Sequence, residues 1–119
     1  MCGRNFDNLS SASSLVSAVI QSRSVIERRY AEPLSLRDVA QAVNLSAGHV
    51  TTVVRRRTGR TVQEWIVDRR MTAARRLLAG SDLPVGEIGR RVGYPDPGYF
   101  ARVFGQVHGV SPTRGRAAG

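Results

Sequence analysis

The spacing of apolar residues predicts a chain built from α-helices. Apolar residues recur at intervals of three and four along most of the sequence, and no segment alternates with period two over a useful length. The first such segment begins near Ser13 and stops before Pro33, because proline disfavours helix at the residue before it. Its apolar positions are Leu15, Val16, Val19, Ile20, Ile26 and Tyr30. We therefore expect an all-α fold whose ordered part opens with an amphipathic helix.

Helix-capping residues divide the rest of the chain. Ser35 heads "SLRD" and Thr61 heads "TVQE", and both patterns are typical of a capping box. Ser46 and the pair Asp96-Pro97 are further helix starts, whereas glycine is suited to the left-handed position just after a helix. The glycines at such positions are Gly59, Gly80 and Gly109. Together these signals predict about seven helices, including a long one from Val62 to about Ala79.

The chain contains an internal repeat. With an offset of 49, Ala40 aligns with Gly89 and Asn44 with Gly93; with an offset of 50, Val50 aligns with Phe100. Each unit thus has a small residue where two helices cross, and a turn residue that tolerates positive φ. That combination is typical of a helix-turn-helix, whose second helix can enter a major groove. Two ordinary helical hairpins packed into a core are the alternative.

The repeat also predicts the domain organisation. We expect two helix-turn-helix units, at residues 13–60 and 81–112, joined by a linker helix at 61–80. Residues 1–12 are polar and serine-rich and are expected to form a flexible leader. Residues 113–119 are expected to form a flexible tail.

Charge and cysteine content narrow the functional classes. The 18 basic residues, all arginine, exceed the 9 acidic residues and give a net charge of +9. Arginine forks onto phosphate oxygens and guanine edges, which suits nucleic acid, although a solvated basic surface is the alternative. Cys2 is the single cysteine, so we expect no disulfide and no metal site, and we expect no cofactor. A nucleophilic Cys2 in "MCGR" is the enzymatic alternative, but such a thiol needs a positioned base, and His49 and His108 lie far along the chain, so we expect no catalytic residues. Without a long apolar run, we expect no membrane partner and a cytoplasmic, nucleoid-associated protein.

Helical geometry assigns the outward positions of the two predicted recognition helices, at about 47–58 and 97–108. At 100° per residue, Val50, Val53 and Val54 mark the buried side of the first helix, and Phe100, Val103, Phe104 and Val107 that of the second. We expect Tyr94 and Tyr99 in the core as well. The opposite side is formed by Gly48, Thr52 and Arg55 in the first helix, flanked by Thr51 and Arg56, and by Gly98, Arg102 and Gly105 in the second, flanked by Ala101 and Gln106.

The exposed arginines differ in what they are expected to contact. A mid-helix Arg102 can take guanine O6 and N7 together, with a phosphate contact or a solvated side chain as the alternative. Arg55, Arg56 and Arg57 end the first recognition helix, where phosphate contacts or a solvated charged face are expected rather than base contacts.

These residues resemble the DNA-binding domain of the AraC/XylS family of bacterial transcription regulators. The resemblance is most specific in "EIGRRVGY", "YFARVF" and "HGVSP", which occur in the family's order and intervals. It implies two homeodomain-like helix-turn-helix units joined by a long helix, with recognition helices in successive major grooves about 34 Å apart. By position, the resemblance places base contacts at Gly48, Thr51, Thr52, Pro97, Gly98, Ala101 and Arg102.

The functional prediction is therefore a sequence-specific, double-stranded DNA-binding transcription regulator. RNA polymerase is a further candidate partner, as an activator would require, and so is an N-terminal effector or dimerisation domain. A degenerate helix-turn-helix module that mainly docks another protein is the alternative. Val54, Gly105 and Gly115 depart from the family pattern, which predicts weaker operator affinity than that of a consensus member. The sequence leaves activation and repression both open.

Overall fold

The computed structural model describes residues 11–118, and this part of the chain folds into helices with no strand. Its seven helices are α1 (Ser11–Arg29), α2 (Leu36–Ala42), α3 (Ala47–Thr58), α4 (Val62–Gly80), α5 (Val85–Arg91), α6 (Pro97–His108) and α7 (Pro112–Ala118). The predicted all-α fold is confirmed. Most of the predicted leader, residues 1–10, lies outside the described residues, while Ser11 and Ala12 belong to α1.

The predicted capping boxes form at the starts of α2 and α4. The Ser35 Oγ accepts a hydrogen bond from the Asp38 amide at 3.2 Å, and the Ser35 amide donates to Asp38 Oδ2 at 2.9 Å. Thr61 and Glu64 make the same reciprocal pair, at 3.0 Å and 2.8 Å. Amides that a helix start leaves without intrahelical partners are thereby satisfied by side chains three residues away.

The two helices predicted to contact DNA, α3 and α6, begin and end in matching ways. Ser46 Oγ accepts from the His49 amide, and Asp96 Oδ1 accepts from the Gly98 amide, with Pro97 at the first helical position. Both helices end at glycine in the left-handed conformation, with φ of 73° at Gly59 and 77° at Gly109.

The turns before α3 and α6 share one backbone motif. Asn44 has φ of 60° and Gly93 has φ of 111°, as the sequence predicted for these turn residues. The Leu45 amide donates to Ala40 O and the Tyr94 amide donates to Gly89 O, which spans five residues in both units. Bonds of this kind define the Schellman motif at a helix end. The repeat therefore extends from side-chain type to backbone hydrogen bonds.

The described chain divides into two compact units. The first consists of residues 11–28 and 35–65, and the second of residues 29–34 and 66–118. Buried residues of the first include Val25, Ile26, Val39, Val50, Val54 and Val62. The core of the second consists of Met71, Ala73, Ala74, Leu78, Ile88, Val92, Tyr94, Phe100, Val103 and Phe104.

Two segments depart from the expected organisation. Residues 29–34, which we placed in the first unit, belong to the second, because the buried Arg70 donates to Tyr30 O at 2.6 Å and Glu32 O at 2.8 Å. The expected flexible tail is wrong for residues 113–118, which belong to α7. The guanidinium of Arg116 fixes α7 by donating to the carbonyls of Leu78 and Leu83 at 3.1 Å and 2.6 Å.

The apolar face of α1 also differs from the expected one. Ile26 is buried as expected, but Ile20 is 61% exposed and Val16 is exposed too. The buried positions are Ala18, Ser22, Val25 and Ile26. Their spacing of four, three and one residues places them on one side of the helix, next to the side that the sequence predicted to be buried.

None of the helices in the described range has the length and apolarity that crossing a bilayer requires.

Candidate nucleic-acid interface

The outer side of α3 is free of core contacts. Val50, Val53 and Val54 are buried on one side of this helix, as the periodicity predicted. On the other side, the predicted base-contacting residues Gly48, Thr51 and Thr52 are all exposed. A Cβ atom added to Gly48 would have no atom within 4 Å. This side therefore offers two hydroxyl groups and an open stretch of backbone.

The last turn of α3 concentrates positive charge. Arg55, Arg56 and Arg57 are exposed there, next to the carboxyl end of the helix dipole, where cations are favoured. The Thr61 amide, which donates to the Glu64 carboxylate, lowers the pKa of Glu64, and the charges of Arg55 and Arg60 lower this pKa further. Arg56 and Arg57 line an open cleft with Thr52.

The outer side of α6 presents fewer side chains that can contact a base. Phe100, Val103 and Phe104 are buried, whereas Pro97, Gly98 and Arg102 are exposed and Ala101 is half-buried. Gly105 is half-buried, and a Cβ added there would meet nothing within 4 Å. Arg102 is therefore the long polar side chain among the predicted base-contacting residues of α6.

Tyr99 and Val107 were expected to be buried, and both are exposed. Tyr99 is 48% exposed and Val107 is 44% exposed, while Tyr94 lies in the core as expected. Both exposed residues lie at the edges of the buried stripe, where a few tens of degrees decide which side faces solvent. The exposed Tyr99 ring lies beside Arg102, with the guanidinium carbon 5.8 Å from the ring centroid.

The two histidines differ in environment. His108 packs on the Phe104 ring at a centroid distance of 4.4 Å, and its Nε2 lies 3.4 Å from Met71 O. His49 is exposed on α3, and its backbone amide is held by the Ser46 cap. His108 thus supports the core of the second unit, while His49 lies near the predicted base-contacting residues.

Two arginines that sequence reasoning did not assign hold backbone in place. Arg70 is 8% exposed, and Arg116 binds three carbonyls, those of Leu78, Ser81 and Leu83. One signal for Arg70 was present, since it falls four residues after Ile66 and four before Ala74, within the apolar stripe of α4. Nothing comparable distinguished Arg116 from the other arginines.

Known transcription regulators are similar to this chain in sequence. A family model described as a helix-turn-helix domain matches residues 39–118. The arabinose operon regulatory protein of Escherichia coli (strain K12) is 39% identical over 79 residues, which is 66% of this chain and 27% of that protein. The Msm operon regulatory protein of Streptococcus mutans is 31% identical over 106 residues, 89% of this chain and 38% of that protein. The chain therefore spans well under half the length of these curated relatives.

Solved structures share the fold over most of the chain. The C-terminal domain of AraT, a response regulator from Geobacillus stearothermophilus, has a TM-score of 0.84 and 30% identity, covering 86% of this chain and 85% of that one. The DNA-binding domain of AdpA, a global transcriptional factor solved in complex with a target DNA, has a TM-score of 0.75 and 28% identity, covering 87% and 90%. The match extends over both compact units.

Proposed function

Because the chain belongs to the AraC/XylS family of bacterial transcription regulators, we propose that it controls transcription by binding a promoter site with base specificity. The family consists of DNA-binding regulators and not of enzymes. The helix-turn-helix family model matches residues 39–118, which include all of α3 to α7. The DNA sequence that this chain selects would be determined by its own exposed residues, because contacts to base edges specify sequence.

In the proposed complex, α3 and α6 enter two successive major grooves. A recognition helix contacts base edges with its exposed side while the rest of its unit holds it in the groove. The exposed sides of both helices support this arrangement, since they occur at equivalent places of the repeat and most of their residues are exposed. The residues proposed to contact bases are Gly48, Thr51, Thr52, Pro97, Gly98, Ala101 and Arg102.

Arg102 carries most of the proposed base selectivity. A guanidinium can donate to O6 and N7 of one guanine at once, and such a pair discriminates against the wrong base by about 1–3 kcal/mol. The neighbouring Gly98 and Ala101 offer no polar side-chain group. The two threonines of α3 can contact a thymine methyl or donate one hydrogen bond each, so α3 is proposed to select less strongly.

The three arginines at the end of α3 are proposed to contact phosphates. Contacts of this kind position a protein on the duplex and make its affinity depend on salt. For each phosphate neutralised, the binding constant falls by about 0.9 logarithmic units per tenfold rise in salt concentration. They carry no sequence information. Arg55, Arg56 and Arg57 would thus hold α3 in register while other residues select the base pairs.

Selection from a randomised duplex library, followed by anisotropy titrations at several salt concentrations, tests the proposal. We expect one preferred sequence, bound more tightly than random duplex at physiological salt, with a linear loss of affinity as salt rises. Replacing Arg55, Arg56 and Arg57 by Gln should weaken all duplexes alike and flatten the salt dependence. Arg114→Gln, in α7, is the matched control. Binding without any sequence preference would overturn the proposal.

A protein-docking role makes a different prediction for Arg102. If α6 mainly bound another protein, Arg102→Ala would leave DNA selectivity unchanged. On the proposed function, the same change relaxes selectivity at one base pair and leaves the others intact.

At the nucleoid, the bound chain is proposed to act with further partners. RNA polymerase is the proposed partner for activation, and an effector-sensing or dimerising domain is the proposed partner for control. The relatives' greater length supports the second, since the chain covers 27% of the E. coli arabinose regulator. Co-purification of polymerase on the selected promoter fragment, with and without the chain, measures the first.

A further inference from the structure

Tyr99 is an aromatic residue that the fold leaves outside the core, beside the proposed base-contacting arginine. It lies three residues before Arg102 on α6, a spacing that brings side chains together on a helix. The guanidinium carbon of Arg102 lies 5.8 Å from the centroid of the Tyr99 ring, within the range of a cation–π interaction. Arg102 therefore has a contact that restricts its orientation before any DNA is bound.

The Tyr99 ring itself contacts the aromatic core of the second unit. The ring of the buried Tyr94 meets it edge-on, with centroids 5.6 Å apart and an interplanar angle of 63°. The ring centroid of Tyr94 lies 6.0 Å from that of Phe100 and 5.1 Å from the guanidinium carbon of Arg70. Arg70 is anchored by the carbonyls of Tyr30 and Glu32. A continuous row of rings and guanidinium groups thus connects the buried interior to Arg102.

The first unit has no such row at its equivalent positions. With the repeat offset of 50, Tyr99 corresponds to His49 and Arg102 to Thr52. A threonine has one side-chain rotation to restrict, whereas a long arginine loses several on binding and gains most from being oriented in advance. The aromatic support therefore occurs in the unit whose proposed base-contacting side chain needs it.

We propose that Tyr99 is a positioning residue for specificity, which orients the Arg102 guanidinium toward a guanine in the major groove. The inference rests on the proposed function, because it assigns Arg102 to a base. Its action is indirect, since the ring of Tyr99 restricts Arg102 and makes no base contact itself. The ring is the required feature and the hydroxyl is not, which separates this role from a hydroxyl–phosphate contact.

Two substitutions at Tyr99 test the role of the ring in the full 119-residue chain. Affinity is measured for the selected duplex and for a copy changed at the base pair where Arg102→Ala relaxes selectivity. The ratio of the two affinities is the preference, and we expect Tyr99→Phe to keep the wild-type value. Tyr99→Leu should lower that preference about two- to fivefold, the loss expected for one exposed cation–π contact, with little change on random duplex. In the Arg102→Ala background, Tyr99→Leu should not change the preference between the two duplexes any further.

Other patterns overturn the proposal. A uniform loss on all duplexes with Tyr99→Phe would assign the hydroxyl to a phosphate. A loss with Tyr99→Leu that persists in the Arg102→Ala background would show that Tyr99 does not act through Arg102. Far-UV circular dichroism and thermal melting of each variant should match the wild type, and a variant that fails to fold is replaced by Tyr99→Met.

A measurement without DNA separates failure of this inference from failure of the proposed function. In NMR spectra of the free chain, Tyr99→Leu should shift the Arg102 Nε–Hε signal, and relaxation should show that this group has become more mobile. Tyr99→Phe should cause neither change. The signal of Arg114 is the internal control. An unchanged Arg102 signal would overturn the positioning role even if the chain binds its promoter selectively. Absence of any preferred duplex, with the NMR change present, would overturn the proposed function and with it the specificity role.

Discussion

The α-carbon of Gly89 in α5 lies against the ring of Phe100 in α6. A Cβ atom added to Gly89 would lie 2.8 Å from Phe100 Cδ2 and Cγ, closer than Cβ atoms in folded proteins come to neighbouring atoms. At the equivalent places of the first unit the residues are Ala40 and Val50. The second unit thus combines a larger side chain on its recognition helix with a smaller residue on the helix before it, as close packing requires.

Gly89→Ala should therefore destabilise the second unit. The added methyl group must displace the Phe100 ring, and overpacking of this kind lowers the free energy of unfolding by about 1–3 kcal/mol. Gly86→Ala is the matched control on the same helix, since its Cβ would lie 3.8 Å from Pro97 Cβ, an ordinary contact. Because alanine favours helix over glycine, Gly86→Ala should stabilise by up to about 1 kcal/mol. Urea unfolding of both variants measures this, and equal shifts would contradict the steric explanation.

Removal of the Arg116 side chain should loosen the end of α4. Arg116→Ala leaves the carbonyls of Leu78 and Leu83 without the charged donor that now binds them. Hydrogen bonds to charged groups contribute about 1.5–3 kcal/mol, so we expect a loss of that order in the free energy of unfolding.

Arg114→Ala is the comparison for Arg116, because Arg114 is exposed on the same short helix. It should change the stability by less than about 0.5 kcal/mol. Amide hydrogen exchange locates the effect, with faster exchange expected around Ser81 and Leu83 in Arg116→Ala alone. If both variants behave alike, the carbonyl contacts of Arg116 do not stabilise the fold.

Ser22→Ala should stabilise the first unit. Ser22 is buried, and its Oγ has no hydrogen-bond partner among the described residues. An unsatisfied buried hydroxyl costs about 1–3 kcal/mol, and its removal recovers part of that amount. Ser24→Ala, at an exposed position of the same helix, isolates the gain in helix propensity of about 0.5 kcal/mol. Thermal melts should rank Ser22→Ala above Ser24→Ala and both above the wild type; the reverse order would contradict the prediction.

Acid should weaken the capping box that starts α4. The Thr61 amide lowers the pKa of Glu64 below its ordinary value of 4.5, with the charges of Arg55 and Arg60 acting in the same direction. A carboxyl whose pKa is lower in the folded chain stabilises it above the unfolded-state pKa and loses this effect as pH falls through the folded-state pKa. Stability curves of the wild type and Glu64→Gln should therefore differ at neutral pH and converge in acid. A gap that stays constant with pH would contradict this assignment.

Features whose partners lie within about five residues were predictable from the sequence. The capping boxes at Ser35 and Thr61 and the positive φ at Asn44 and Gly93 are such features, because the sequence spacing itself brings their atoms together. The exposure of Gly48, Thr51, Thr52 and Arg102 follows equally from helical periodicity. Their contact with DNA stays a prediction.

Features that depend on distant partners were not predictable in the same way. Arg70 binds carbonyls 38 and 40 residues away, and Arg116 binds carbonyls 33 and 38 residues away. A guanidinium that caps backbone carbonyls needs no complementary side chain, so it leaves no paired signal in the sequence. Tyr99 and Val107 were assigned to the wrong environment because periodicity does not locate the edge of a buried stripe to within one residue.

By itself, then, the sequence determined the order of helices α1 to α6, the repeated helix-turn-helix pattern and the side of α3 and of α6 that faces outward. Local hydrogen bonds and the 3.6-residue period of the helix are sufficient for these. Only the tertiary structure decided that residues 29–34 join the second unit, that residues 113–118 are helical, and that Tyr99 lies beside Arg102. Each of these depends on packing among residues remote in the chain or on the exact edge of a buried surface, which local rules leave undetermined.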